Sequence, residues 1–165
     1  TGPVRCDGVK ITTDDLLAGP VEDVLLKGSG GGAGGLQTST LALGLTRAAL
    51  RYTAGEAERR PDLQVPVDVL REEAERLVLM LLSAAAGEPG SEGPSTVQAL
   101  RVRANSLVLR ATQMSLAAAK GAGYASRHPV GRWCREALFF LVWSCPQPVV
   151  EENLRELAGL ADAVE

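Results

Sequence analysis

The chain has 165 residues, of which 45% are hydrophobic and 4% aromatic, and its formal net charge is −3. This length suits one ordinary globular domain, and few aromatic but many alanine and leucine side chains favour packed helices over a β-sandwich. Because acidic and basic residues are mixed, the composition excludes the basic footprint of a nucleic-acid-binding protein and the polybasic surface that attracts an anionic membrane.

The first 35 residues contain no long periodic pattern. Residues 4–11 alternate loosely around Asp7-Gly8, a dipeptide suited to a tight turn, which predicts the last piece of a β-hairpin. The glycine-rich residues 28–35 predict a flexible linker. Residues 30–35 formally match the G-x-G-x-x-G pattern of dinucleotide-binding turns. That site needs a strand on each side of its helix, so we do not interpret the match as a nucleotide site.

Five helices are predicted in the remaining residues, from apolar residues spaced three, four and seven apart. Helix one is bounded by Pro61, helix two by Gly87, and helix three by a Ser95–Gln98 capping box and by Gly121. The predicted spans are 36–59, 66–86, 95–120, 130–143 and 149–163.

Long helices joined by short loops predict an all-α fold, specifically an antiparallel four-helix bundle with a short C-terminal fifth helix. The first three helices are each about 30 to 38 Å long at 1.5 Å per residue. The longest apolar run, residues 137–143, is far short of the ~20 residues that a membrane-spanning helix requires. No signal-like segment opens the chain, so we expect a cytoplasmic protein without a membrane partner.

Histidine and cysteine give no metal site. His128 is the only histidine, and Cys6, Cys134 and Cys145 lack the C-x-x-C spacing of zinc or redox motifs. We therefore expect the three cysteines to be small buried side chains in a reducing compartment.

Two glycines at the predicted end of helix three expose the main chain to the approach of another molecule. A cluster of Arg127, Arg132, Arg135 and Glu136 follows soon after the Gly121–Tyr124 segment. This charged cluster fits either a solvated face or a rim that faces an anion, and the sequence leaves both interpretations open.

Four segments in order give the chain a resemblance to the C-terminal helical domain of the acyl-CoA dehydrogenase superfamily. Residues 6–19 look like the end of the middle β-domain of that family and its linker. Residues 48–60, ending in Glu-Arg-Arg, look like the first family helix, Gly121-Ala-Gly-Tyr124 like the "G-G-x-G-Y/F" turn, and Arg135-Glu-Ala137 like "R-D-A". The resemblance covers about 160 residues and divides the chain into a β-domain remnant and linker over 1–35 and a helical-bundle domain over 36–165.

The resemblance implies an oxidoreductase that acts on CH–CH bonds of acyl thioesters, with FAD accepting hydride while a glutamate removes the α-proton. Arg60 matches the arginine that faces the flavin phosphates, a suitable use of its planar donor fork. Gly121 and Gly123 match the turn that lies against the cofactor of a neighbouring subunit, which implies a homo-oligomer. An acyl-CoA or similar thioester is expected to bind only together with two further domains, so the 165 residues are not expected to be active alone.

The departures from the family pattern concern catalysis. Leu63-Gln64 replaces the Phe-Gly that follows the family arginine, and Ser144 stands where the catalytic glutamate is expected. The alternative position of that glutamate falls near Gly34 or Gly35 and is also without an acid. Because a hydroxyl cannot replace a carboxylate as the base, a second hypothesis is a degenerate relative whose bundle serves assembly or partner binding. A third is an unrelated helical-bundle adaptor.

Overall fold

The computed structural model describes residues 5–16, 19, 21–22, 35–87 and 96–160. The chain divides into two units, Thr1–Gly32 and Ala33–Glu165, which are described separately. No strand occurs in the described residues.

In the first unit, residues 5–11 do not form the predicted piece of a β-hairpin. A hairpin strand needs a neighbouring strand for its backbone hydrogen bonds, and none is present among the described residues. Gly8 does have a left-handed backbone, with φ of 65°, as a turn requires. A short 3₁₀ turn, Thr13–Asp15, follows, and the hydrogen bonds from Thr12 hold the pKa of Asp15 below its usual range.

The second unit consists of five α-helices that pack together. They are α1 (Leu36–Ala57), α2 (Gln64–Ala86), α3 (Thr96–Ala119), α4 (Pro129–Val142) and α5 (Gln147–Leu157), with 3₁₀ turns at Pro61–Leu63 and Lys120–Tyr124. The predicted helical fold is confirmed, with all five helices close to their predicted positions. None of the described helices is long and apolar enough to cross a lipid bilayer.

Helix α3 is the central element, because α1, α2, α4 and α5 all pack against it. A single apolar stripe was predicted for this helix, whereas almost every residue from Leu100 to Leu109 is buried. The core that α3 shares with α1 includes small side chains of both helices, with Ala42, Ala49 and Ala104 fully buried. Small residues let the two helix backbones approach each other closely, which accounts for the high alanine content and the few aromatic residues.

Buried hydroxyl groups accompany these alanines, and among the described residues all but that of Ser39 have hydrogen-bond partners. The Thr53 and Ser115 hydroxyls, on α1 and α3, lie 2.9 Å apart, and Ser115 also donates to the Ala49 carbonyl at 3.0 Å. Buried hydroxyls are tolerated when they are hydrogen-bonded in this way. The pair therefore fixes the register between α1 and α3.

Three helix ends differ from the sequence prediction. Helix α2 begins at Gln64 rather than Pro66, because the 3₁₀ turn before it leads directly into the helix. Helix α3 ends at Ala119, and the left-handed residue after it is Lys120, with φ of 54°, rather than Gly121. Helix α5 ends at Leu157, because residues 158 and 159 form a turn, whereas its predicted span continued to 163. Ser95 of the predicted capping box, the glycines of residues 28–34 and residues 161–163 lie outside the described residues.

Candidate functional site

Arg60 and the Gly121–Gly123 turn lie at the same end of the helical unit. Arg60 follows α1, and its Nη1 donates to the carbonyl of Ala118 at 3.0 Å, at the C-terminal end of α3. Its Nη2 lies 3.3 Å from Asp62, and the side chain is half-buried. Arg60 thus satisfies one of the carbonyls that a helix leaves unpaired at its C-terminus. Two of its five N–H donors are enough for these contacts, so others remain for a ligand.

The two glycines of the turn have different roles. Gly121 is exposed, and a Cβ placed on it would meet nothing within 4 Å. Gly123 is buried, and a Cβ there would lie 2.6 Å from Leu116 Cδ1. A Cβ on Gly131 of α4 would lie only 2.5 Å from the carbonyl oxygen of Gly123. Gly131, which we did not predict as a site residue, therefore allows α4 to touch the turn backbone to backbone.

His128 connects α4 to α1 at the same end of the unit. Its Nδ1 accepts from the backbone N–H of Val130 at 3.4 Å, which caps the start of α4. Its Nε2 lies 3.4 Å from the Tyr52 hydroxyl, and the Tyr52 ring also packs edge-on against Trp133 with centroids 6.1 Å apart. Burial and the nearby Glu56 carboxylate raise the pKa of Tyr52. The only histidine of the chain is thus the N-cap of α4, which agrees with its position directly before Pro129, the first residue of that helix.

A cleft of about 250 Å³ opens beside the turn. It lies where α4 begins, and its lining includes Gly123, Tyr124, His128, Arg132 and Arg135. Two of the three arginines of the predicted cluster line this cavity, as a rim that faces an anion requires, and Arg132 also pairs with Glu136 of the same cluster at 3.2 Å. The third, Arg127, is exposed in the connection before α4.

Ser144 lies at the opposite end of the helical unit, just after α4. Its neighbours contact Arg101 near the start of α3, about 17 residues or roughly 26 Å along that helix from the end that Arg60 caps. No hydrogen bond joins Ser144 to an acidic side chain among the described residues. The structure thus brings Arg60, Gly121 and Gly123 together but places Ser144 apart from them.

A buried arginine organises the Ser144 end. Arg101 is fully buried, and its Nε donates to Asn105 Oδ1 at 2.9 Å. Its Nη2 lies 3.2 Å from the carbonyl oxygens of both Phe140 and Trp143, so it caps the C-terminus of α4. Burial lowers the pKa of Arg101, and Nη1 has no partner. We did not predict this cluster, since an arginine within a helical pattern normally faces solvent.

The cysteines follow the prediction only in part. Cys6 is exposed, so its predicted burial is wrong, while Cys134 and Cys145 are half-buried. Burial raises the pKa of both half-buried thiols, partly offset by the contact of Cys134 with Thr112 and by Arg101 beside Cys145. Neither has the low pKa that a nucleophilic cysteine needs.

The backbone of Ser144 is left-handed, with φ of 46°, a conformation that costs an L-residue roughly 1–2 kcal/mol. We expect Ser144→Gly to raise the free energy of unfolding by about 0.5 kcal/mol. Relief of backbone strain in the folded state should outweigh the greater conformational entropy of glycine in the unfolded chain. The difference is measurable by urea denaturation. Ser126→Gly, in an exposed turn without positive φ, is the control, and equal effects at both positions would contradict the explanation.

A cleft of about 800 Å³ lies between α1 and α2. Its lining includes Arg47, Arg51 and Arg71, but also Glu58 and Glu75. Opposite charges face the same space, so it favours no class of ligand. No group of three or more His, Cys, Asp or Glu side chains in the described part of the chain is placed to hold a metal ion.

Comparison with known proteins identifies no relative. No protein-family model, no curated protein and no solved structure matches the chain.

Proposed function

We propose that residues 36–165 are an antiparallel four-helix bundle with a short fifth helix, the C-terminal domain of an acyl-CoA dehydrogenase-like flavoprotein, and that the Arg60 end faces FAD. One observation carries the proposal. Arg60 and the Gly121–Gly123 turn, about 60 residues apart in sequence, are joined through the 3.0 Å contact between Arg60 Nη1 and the Ala118 carbonyl. These are the segments that the sequence resemblance assigns to the cofactor.

The residues at this end fit a phosphate-bearing cofactor. Arg60 retains N–H donors beyond its two observed contacts, and a guanidinium binds phosphate oxygens in a planar, bidentate manner. At Gly121 the open space where a Cβ would lie lets another molecule approach the main chain. Arg132 and Arg135 in the neighbouring cleft add positive charge. When bound, FAD would supply the hydride acceptor, and these residues would bind and orient it.

The proposal assigns no proton abstraction to these residues. Ser144 is hydrogen-bonded to no acidic side chain among the described residues, and a serine hydroxyl that is bonded to no base does not remove a proton from carbon. Residues 36–165 would therefore contribute cofactor contacts and subunit surface, with substrate binding supplied elsewhere.

The test measures FAD in two preparations. The polypeptide purified from its source should carry FAD, and Arg60→Ala should lower its FAD content several-fold, since charge-assisted hydrogen bonds to phosphate are lost. Arg59→Ala is the matched control, because Arg59 is exposed and pairs only with Glu56. The isolated 165 residues should bind FAD weakly or not at all. Tight stoichiometric binding by them alone, or equal losses from both substitutions, would contradict the proposal.

A second candidate function is assembly without catalysis. It is favoured by Ser144, which stands at the expected glutamate position. Ser144 has a left-handed backbone, and the carbonyl of its neighbour Trp143 accepts a hydrogen bond from the buried Arg101. A polypeptide from source that lacks FAD and reduces no artificial electron acceptor with acyl-CoA substrates would support it. Dye reduction would exclude it.

A further inference from the structure

A groove of about 530 Å³ lies between α1 and α4. Its apolar lining consists of Leu41, Leu45, Phe139 and Phe140. Leu41 is 64% exposed and Phe139 is 42% exposed, so both present apolar surface to solvent. Cavities of about 300–1,000 Å³ with mostly apolar walls and a few polar groups are typical of small-molecule sites. The groove therefore has the size and the lining of a site for a small organic ligand.

The aromatic side chains at this groove hold one another in place. The Phe139 ring stacks on Trp143, with centroids 5.5 Å apart and planes at 20°. It also stands edge-on to the buried Phe140 ring, with centroids 5.8 Å apart and planes at 85°. A ligand ring placed against these two perpendicular rings can stack on one and meet the other edge to face, the two arrangements that aromatic rings prefer. The groove thus favours a flat aromatic ligand over a flexible chain.

Three charged side chains line the same groove, two arginines and one glutamate, which leaves one net positive charge. Glu136 pairs with Arg132 at 3.2 Å, so these two charges offset each other. Arg135 has neither an ion pair nor a hydrogen bond within the described residues. Its guanidinium is therefore free to bind an anion, and a carboxylate matches its planar donors in a bidentate manner. One unpaired cation beside an apolar groove selects a ligand with a single negative charge.

We propose that the groove between α1 and α4 binds an aromatic monocarboxylate, with the rings against Phe139 and the carboxylate on Arg135. Arg135 also lines the cleft beside the Gly121–Gly123 turn, so the carboxylate lies on the side of the groove that faces this cleft.

The site goes beyond the proposed cofactor contact. Its lining includes neither Arg60 nor the Gly121–Gly123 turn, and the binding requires no flavin. Failure of the groove to bind an aromatic carboxylate would therefore leave the cofactor proposal standing. Conversely, an FAD content that does not depend on Arg60 would leave the groove site standing.

The first experiment titrates 2-naphthoate into the 165-residue chain by isothermal titration calorimetry. We expect saturable binding of one 2-naphthoate per chain. The uncharged 2-naphthamide has the same rings and should bind at least about 10-fold more weakly, because the charge-assisted hydrogen bonds are lost. Nonanoate keeps the charge on a flexible chain and should bind several-fold more weakly, because it cannot stack. No saturable binding, or binding of 2-naphthamide or nonanoate as tight as that of 2-naphthoate, overturns the proposal.

The second experiment replaces the two residues that carry the proposal. Arg135→Gln should raise the dissociation constant of 2-naphthoate at least about 10-fold, and Phe139→Leu, which keeps an apolar side chain without a ring, should raise it several-fold. Arg103→Gln, at an exposed arginine of α3, and Leu79→Ala, on α2 and 67% exposed, are the matched controls and should leave it unchanged. Equal effects at Arg135 and Arg103, or full affinity of Phe139→Leu, overturn the proposal when circular dichroism shows the variants folded.

Two further measurements decide the proposal if a groove variant does not fold. Glu136→Gln, at an exposed position, should tighten the binding of 2-naphthoate, because it removes a negative charge near the carboxylate and frees Arg132. In the unchanged chain, nuclear Overhauser effects from the naphthoate ring protons should reach the methyl groups of Leu41 and Leu45. Weaker binding after Glu136→Gln, or Overhauser effects that reach the methyl groups of Leu79 instead, overturns the proposal.

Discussion

Replacing Arg101 by alanine is expected to lower the free energy of unfolding by about 3–5 kcal/mol, the combined cost of a core cavity and of buried acceptors left without donors. The fully buried side chain is the sole observed donor to Asn105 Oδ1 and to the Trp143 carbonyl. The Phe140 carbonyl would keep a partner, since Asn105 Nδ2 also donates to it at 3.1 Å. Urea denaturation followed by circular dichroism measures the loss.

Arg101→Met separates the two causes, because methionine fills a similar volume without any donor. Two opposing effects decide its result. Removing the guanidinium leaves two buried acceptors without a donor, which costs about 1–3 kcal/mol of stability for each. It also removes a buried charge that has no carboxylate partner, which favours the folded state. We expect the orphaned acceptors to dominate, with a net loss of about 2 kcal/mol. A methionine variant as stable as the unchanged chain would show that the hydrogen bonds do not offset the desolvation of the charge.

Arg103→Met is the matched control for both variants. Arg103 lies on the same helix, is exposed, and contacts only the sulfur of Met80 at 3.4 Å. An exposed substitution of this kind changes stability by less than about 0.5 kcal/mol. A comparable loss at both arginines would mean that helix propensity, rather than the cap on α4, accounts for the effect.

The helices could be predicted because their signals are local. Apolar residues at helical spacing and flanking prolines and glycines identified the five helices, for example α1 between Leu36 and Pro61. The central position of α3 was not predictable in this way. A stripe pattern assumes one buried face, whereas Arg101, Asn105 and Thr112 are buried only because other helices surround α3. That arrangement depends on contacts between residues distant in sequence.

The site residues, too, could be predicted only where their signal is local in sequence. Sequence patterns singled out Arg60 and the Gly121–Tyr124 segment, and the structure places them at one end of the unit. The left-handed position next to them is Lys120, although glycine normally takes it. The contact between the turn and Gly131 depends on how α4 meets the turn, and its only sequence signal is a glycine within a helical pattern.

Gly131→Ala is expected to lower the free energy of unfolding by about 1–3 kcal/mol, although alanine is the better helix former by roughly 1 kcal/mol. The added Cβ would lie 2.5 Å from the Gly123 carbonyl oxygen, a backbone atom that cannot rotate away. Either α4 or the turn has to move. In the polypeptide purified from its source, the same change should lower the FAD content, since the turn is the proposed cofactor contact.

Gly44→Ala is the matched control for this substitution, because Gly44 lies within α1 and a Cβ there meets nothing within 4 Å. With no clash, the helix propensity of alanine should raise the free energy of unfolding by about 0.5–1 kcal/mol. Thermal denaturation of the two variants should thus show shifts of opposite sign for the same chemical change. Shifts of the same sign would mean that the close approach of Gly131 to Gly123 does not limit packing at this end of the helical unit.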